Sequence, residues 1–259
     1  MLSVVIVTYN TDRLLWECLS SLATHQAARS YEVVVINNGD ALVLQDFPDP
    51  GISFRVVDNP RNLGYGAALN QGARLTRSDL LLFLNADTRL PDGSTLPLME
   101  RLSDDPSVGV VAPRLSYPDG RLQLSCRRGY SPESVLGRRL PFFSLPALEP
   151  ALRHHLMLDE DHGQILYPDW VQGSCLMMRR DVFYRLGGFD ERFFLYFEDY
   201  DLCTRVRAAG LQVVYDPRAE VVHHYARLSG RPVLSREWWL HLLSALRYYA
   251  KARRQQRAA

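Results

Sequence analysis

The sequence contains no apolar run approaching the ~20 residues that a membrane-spanning helix needs. Its first residues enter strand-like sequence directly, without the basic, apolar and small-residue segments of a secretion signal. A cytoplasmic location is therefore expected, with contact at the inner face of the cell membrane left open. The four cysteines, Cys18, Cys126, Cys175 and Cys203, show no metal-ligand spacing, which sets aside a zinc centre. Cys18 and Cys203 fall on apolar helical faces, as buried thiols of a reducing compartment do. No charge of one sign dominates: 30 Lys and Arg face 29 Asp and Glu, a net charge of +1, so no nucleic-acid partner is expected. Neither a Walker loop nor a GxGxxG fingerprint is present. Internal repeats and low-complexity segments are also missing. One-sidedness is confined to the tail, where no acid follows Glu237 but Arg247, Lys251, Arg253, Arg254 and Arg257 do.

What is present suits one globular α/β unit. Hydrophobic residues make up 47% and charged residues 23% of 259, enough to bury a full core. Short β-branched or leucine-rich runs at Leu2–Thr8, Val33–Ile36, Arg55–Val57, Leu80–Leu84 and Val108–Ala112 read as buried strands. Helical patterns lie between them, clearest at Ala67–Leu75 and Thr95–Ser103, and Asn10 or Thr11 can cap a helix with apolar positions Leu14, Leu15, Cys18, Leu19 and Leu22. The alternation predicts a mostly parallel, Rossmann-like sheet flanked by helices. Ligands of such sheets bind beyond the carboxyl ends of the strands. Thr8-Tyr9-Asn10, Asn37-Asn38 and Asn85-Ala86-Asp87 all fall there.

Residues 114–167 change character, with repeated prolines, few periodic runs, and Arg127, Arg128, Arg138 and Arg139. They read as an irregular functional loop or as a plain surface excursion. Strand character returns from Trp170 to Met178, followed by a helix from Arg180 to Leu186, strands at Gln212–Tyr215 and Glu220–Val222, and His223-His224. A domain over 1–224 and a tail over 225–259 are expected. The tail carries a helix from Ser235 with Trp239, Leu242, Leu243, Leu246 and Tyr249 at helical spacing. That spacing favours packing on the core or on a second subunit; the aromatic and basic residues also fit an anionic membrane surface.

The densest chemistry lies in Gly187–Arg205, GGFDERFFLYFEDYDLCTR. Five acids sit among six aromatic residues. Gly187-Gly188 ends one helical run, and Glu198-Asp199 opens another, at the positive end of a helix dipole. A carboxylate against bulky apolar walls can act as a general base; capping by Asp199 on a solvated acidic turn is the competing and equally weighted account. Further upstream, Asn59–Asn70 places Gly64 and Gly66 before a helix, which suits an anion or simply a glycine turn.

These motifs together resemble glycosyltransferase family 2, near its rhamnosyltransferase branch. The likeness is strongest from Trp170 to His224, good from Leu2 to Asp87 and weakest over 114–167. It implies a GT-A fold and an inverting transfer of a sugar, rhamnose from dTDP-rhamnose in the nearest branch, to a polysaccharide or lipid-linked oligosaccharide. It implies Asp199 as base, with Glu198 and Asp201 orienting it or gripping hydroxyls. It implies a nucleotide-diphosphate-sugar site, dTDP- or UDP-linked, from Thr8, Tyr9, Asn10, Asn37, Asn38, Asn62, Gly64, Gly66, Asn70, Asn85, Ala86 and Asp87. Mg²⁺ or Mn²⁺ would be held by Asp87 and His223. Trp170, Gly173, Ser174, Tyr196 and Asp201 would form the acceptor side, with the irregular segment 114–167 beside them, Tyr196 and Phe197 being read either as a sugar-stacking wall or as core aromatics. Asn37 and Asn85 stand where the family usually has acids. That departure motivates an alternative, a nucleotide-sugar-binding protein or scaffold without turnover. Nucleotidyl transfer on a similar sheet would need a basic glycine-rich loop after the first strand, and Tyr9-Asn10-Thr11-Asp12 is not one.

Overall fold

A computed structural model of the chain describes residues 1–25, 30–131, 133–134, 146–224 and 235–258. The first elements in chain order are β1 (Leu2–Thr8), α1 (Asp12–Ala23), β2 (Tyr31–Asn37), β3 (Phe54–Asp58), α2 (Tyr65–Arg74), β4 (Leu80–Asn85), β5 (Thr88–Arg89) and α3 (Leu96–Asp104). Next come β6 (Val108–Ser116), β7 (Leu122–Gln123), β8 (Cys126–Arg127), α4 (Glu149–Leu156), β9 (Trp170–Val171) and β10 (Cys175–Arg179). The last are α5 (Arg180–Arg185), α6 (Glu198–Ala208), β11 (Gln212–His223) and α7 (Arg236–Ala258).

The continuous apolar runs become central strands because both faces of the sheet are covered. β1 is buried at every position. Its side chains alternate between two cores, Val5 and Val7 entering one, Leu2, Val4 and Ile6 the other. β4 divides in the same way, with Leu81 and Phe83 against Leu82 and Leu84. One core is closed by α2, α5 and α6 through Leu69, Phe183 and Leu202; α1 and α3 close the other through Leu15, Leu19, Leu98 and Leu102. The result is three layers, helix–sheet–helix.

The main sheet runs β3-β2-β1-β4-β10-β6-β11-β5, with β7 on β6. β3, β2, β1 and β4 are mutually parallel, as are β6 and β11. The expected single strand from Trp170 to Met178 is two. β9 pairs with β8 in a separate small sheet, and β10 enters the main sheet antiparallel to β4 and β6. The break has a cause: the Gln172 amide donates to Ser125 O, beside β8, and the Gly173 amide to the Asp199 carboxylate, so neither is available to the main sheet. The two strands expected between 212 and 222 are conversely one, with a register shift between Asp216 and Glu220. Pro217, which has no amide hydrogen, sits in that bulge.

The segment 114–167 is less irregular than its composition predicts. β6 extends to Ser116, and β7, β8 and α4 lie within it. Arg128 pairs with Glu160 at 3.2 Å and donates to Tyr167 O; Arg138 and Arg139 lie outside the described residues, as do 225–234 before the tail helix. All four cysteines are buried thiols, and burial pushes Cys18, Cys126 and Cys203 up to about 12.

α7 packs on the core, one of the arrangements expected for it, but not through the expected apolar stripe. It rests on residues 190–200 through the face opposite to its apolar stripe. Ser244 Oγ donates to Leu195 O (2.9 Å) and Arg247 to Arg192 O (2.7 Å). Lys251, the only lysine of the chain, bridges Asp190 (2.9 Å) and Asp201. Trp239, Leu243, Leu246 and Tyr249 are 47, 45, 58 and 39% exposed.

Candidate active site

Parallel pairing in register brings the carboxyl ends of three strands together. Thr8 stands opposite Asn37, and Val7 opposite Asn85. A cavity of about 280 Å³ opens at this edge. Of the expected donor residues, Thr8, Tyr9, Asn38, Asn62, Gly64, Asn85, Ala86 and Asp87 line it. Asn38 is locked in place, accepting from Asn59 Nδ2 (2.9 Å) and donating to Gly64 O (3.2 Å). Gly64 has φ +90°, and a Cβ there would stand 2.5 Å from Phe194 O. Only glycine suits both demands. The same carbonyl accepts from the Tyr65 amide at 2.9 Å, which docks the glycine turn on the aromatic stretch.

Four expected donor residues serve as scaffold instead. Asn37 is buried and its amide is fully engaged, donating to Asp40 O (2.7 Å) and Asp58 Oδ1 (2.8 Å) and accepting from Gly39 N (2.9 Å). Asn10, at φ 55°, exchanges hydrogen bonds with Asp40. Gly66 packs on Phe189, where a Cβ would meet the Phe189 Cβ at 3.1 Å. Asn70 grips both the N–H (2.9 Å) and C=O (2.8 Å) of Phe189.

Asp87 and His223 do meet. Asp87 Oδ1 lies 3.2 Å from His223 Nε2, with Asn85 Nδ2 at 3.5 Å from the same nitrogen. Sequence reading missed the residue that orients the ring. Gln123 Nε2 donates to His223 O (2.7 Å) and Ser116 O (3.3 Å), so its Oε1 faces His223 Nδ1 at 3.0 Å. Nδ1 is thereby the N–H donor, and Nε2 points at the Asp87 carboxylate. Two acceptors converging in this way call for a proton or a cation between them, so the pair fits a divalent ion. Among the described residues no group of three or more His, Cys, Asp or Glu gathers as a metal site. Remaining ligands would have to come from water or a bound phosphate. His224 turns away, toward Glu17 at 3.9 Å.

Glu198 and Asp199 begin α6 in contrasting surroundings. Glu198 is buried, and its Oε2 has no hydrogen-bond partner among the described residues. Burial, then the neighbouring Asp199, raise its pKa well above the ordinary range. Asp199 is raised too, by burial, but Oδ2 accepts from Gly173 N (3.0 Å) and Oδ1 from Tyr200 N (2.8 Å), which lower it. The proton therefore stays on Glu198, and Asp199 is the member that ionises. Tyr65, another residue missed from sequence, donates to Gly173 O at 2.8 Å and lines the cavity. Burial first, then Glu198, Asp199 and Asp87, raise its pKa, so the phenol stays protonated between the acids.

The expected acceptor side divides. Gly173 holds Asp199, and a Cβ on it would come 3.2 Å from the Asp199 Cβ. Ser174 is buried, its Oγ without a hydrogen-bond partner among the described residues and its carbonyl accepting from Asn85 N. Trp170 is buried, stacked on Tyr130 with centroids 5.5 Å apart, and Phe197 stacks on the same ring at 5.1 Å; both are core. Tyr196 packs on His241 of α7 (5.2 Å). Asp201 is taken up by the scaffold. It is buried and paired with Arg205 at 2.8 Å and with Lys251, tying α6 to α7. Arg236 and Leu240 of α7 also line the cavity. No local pattern could have announced that, because their partners lie far off in sequence. Tyr65 was within the glycine motif, whereas Gln123 sits on a two-residue strand that shows no periodicity.

The geometry has counterparts. The family model described as Glycosyl transferase family 2 matches residues 3–187. An N-acetylglucosaminyl-diphospho-decaprenol L-rhamnosyltransferase of Mycobacterium tuberculosis (strain ATCC 25618 / H37Rv) is 33% identical over 252 residues, covering 89% of this chain and 78% of that protein. Rhamnosyltransferase WbbL of Escherichia coli (strain K12) is 25% identical over 264 residues, 98% and 94% of the two chains. A crystal structure of GalNAc-T7 with UDP, GalNAc and Mn²⁺ superposes with a TM-score of 0.66 at 20% identity, over 90% of this chain and 45% of that one. The architecture is the GT-A fold.

Proposed function

The chain belongs to glycosyltransferase family 2, and from that premise we propose that it transfers rhamnose from a dTDP-linked donor to a lipid-linked oligosaccharide or polysaccharide, with inversion. The observation that carries the chemistry is the split pair Glu198 and Asp199, whose Asp199 is joined through Gly173 to Tyr65 of the cavity wall. Asp199 ionises, is aimed by the Gly173 and Tyr200 amides, and takes the proton of an acceptor hydroxyl. The acceptor oxygen forms a bond to the anomeric carbon as the bond to the diphosphate breaks, and the diphosphate leaves with the electron pair. Glu198, protonated and buried, keeps a second negative charge away from the base. Thr8, Asn38 and Asn62 border the nucleotide, and Tyr65 stands between donor and base. Asp87 and His223 would hold Mg²⁺ or Mn²⁺, which when bound supplies positive charge to the departing diphosphate.

The sugar and the acceptor class are supported by the names of the relatives, both rhamnosyltransferases, one of them named for a decaprenol-linked sugar. UDP is the competing nucleotide. The reading without turnover loses part of its motive: Asn37 holds a strand end, and Asn85 sits beside His223. A thermal-shift panel of dTDP, UDP and GDP with and without Mn²⁺ tests the site. A metal-dependent rise with dTDP, about 2.7 kcal/mol at a hundred times Kd, is expected and should vanish in Asp87→Ala. A flat panel, or a shift untouched by Asp87→Ala, would overturn the assignment.

A further inference from the structure

An exposed apolar stripe on a helix that packs through its other side needs a reason. α7 buries Ser244 and packs His241, Tyr248 and Lys251 against residues 190–205. Trp239, Leu243, Leu246 and Tyr249 follow one another at spacings of four, three and three, and so line the opposite side. Each is 39 to 58% exposed. Single exposed apolar residues are ordinary, but a contiguous stripe is not.

The charge of the helix says what would cover it. Residues 236–258 carry one acid, Glu237, and six basic side chains, of which Lys251 is paired with Asp190 and Asp201. Arg236, Arg247 and Arg253 are exposed. A second copy of the chain would have to bring an equally basic helix against this one. An anionic surface is complementary instead. Tryptophan and tyrosine beside leucine and arginine are the side chains that settle at the boundary of lipid and water. No helix among the described residues is long and apolar enough to cross a membrane, so this one would lie along the surface.

We propose that the outward face of α7, Trp239, Leu243, Leu246 and Tyr249 with flanking arginines, docks on an anionic lipid bilayer. The same helix borders the cavity through Arg236 and Leu240, so docking places the mouth of the site next to the lipid. This deepens the reading of a lipid-linked acceptor and leans on it for purpose alone.

The test uses the full chain and vesicles of phosphatidylglycerol with phosphatidylcholine, free of any acceptor lipid, against phosphatidylcholine alone. Co-flotation with the anionic vesicles is expected, with weaker binding to neutral ones and at high salt. The double variant Leu243→Glu, Leu246→Glu should bind at least about tenfold more weakly. Its melting temperature and its nucleotide-induced shift should match wild type, since both side chains already face solvent. Quenching of tryptophan fluorescence by brominated phosphatidylglycerol tests docking without any variant. Absence of wild-type flotation and quenching would overturn the proposal, as would a variant that floats like wild type. A wild-type dimer that the double variant makes monomeric, with no vesicle binding by either, would assign the face to a second copy and also overturn it. Because the vesicles hold no acceptor, loss of turnover on lipid-linked sugar with docking intact would break the acceptor reading alone.

Discussion

The two sides of the cleft are assembled by different means. On the donor side, strand order does the work: β1, β2 and β4 are parallel and in register, so Thr8, Asn37 and Asn85 arrive together. Most amides there are satisfied by near neighbours, Asn37 by Gly39, Asp40 and Asp58, and Asn38 by Asn59 and Gly64. On the side of the acid pair, residues 187–205 have no strand to register them. Asn70 fixes Phe189, Gly173 fixes Asp199, and rings from Tyr130 and Tyr248 pack against Phe197. Tyr196 and Phe197 are consecutive left-handed residues, at φ 67° and 69°. Such a conformation costs on the order of 1–3 kcal/mol per residue and persists only where surrounding contacts enforce it. A sheet edge can therefore display hydrogen-bonding groups almost unaided. A general base with a raised pKa requires a cage drawn from distant parts of the chain.

The largest test of that contrast is Asp199→Asn. Turnover should fall by about 10²–10⁴-fold while the nucleotide-induced thermal shift is retained. In wild type the acid limb of kcat/KM should lie above the ordinary aspartate range, because activity is lost as pH falls through a raised pKa. Wild-type-like turnover in the variant would remove Asp199 as base and dissolve the distinction between the sides.

Gln123→Leu probes the place where the donor side borrows from afar. It removes the acceptor for His223 Nδ1. Mn²⁺ affinity in the presence of a nucleoside diphosphate, followed by electron paramagnetic resonance, should weaken by about 10–100-fold. Unchanged affinity would mean that strand register alone sets this side.

The smallest effect concerns Glu198. Its folded pKa is raised, so the folded state binds a proton more tightly than the unfolded chain, where glutamate titrates near 4.3. Stability is then lost as pH rises from the unfolded value through the folded one. Glu198→Gln removes that dependence. The melting temperature of the variant relative to wild type should climb with pH, and a constant difference would show that Glu198 is not held protonated.

The parallel strands, their helices and the donor edge could be read along the chain, because burial on both faces leaves continuous β-branched runs, and each such run ends on its polar residues. Asp87 and His223 could be placed at strand ends for the same reason. The small strands at 122–127 and 170–171 could not, since two residues carry no period. Asp201 and Asn70 looked like site residues because an acid and an amide within a motif have no distinguishing sign; their partners, Lys251 and Phe189, lie 50 and 119 residues away.

Sequence alone determined the layer architecture, the strand edge at which the cavity opens and the place of Glu198-Asp199 at the start of a helix, all of which depend on local periodicity or on contiguous residues. Tertiary structure decided which acid keeps its proton, which amides face the cavity rather than the scaffold, and which side of the tail helix meets solvent. Each of those depends on burial and on partners brought together across the chain, and neither can be computed from neighbours in sequence.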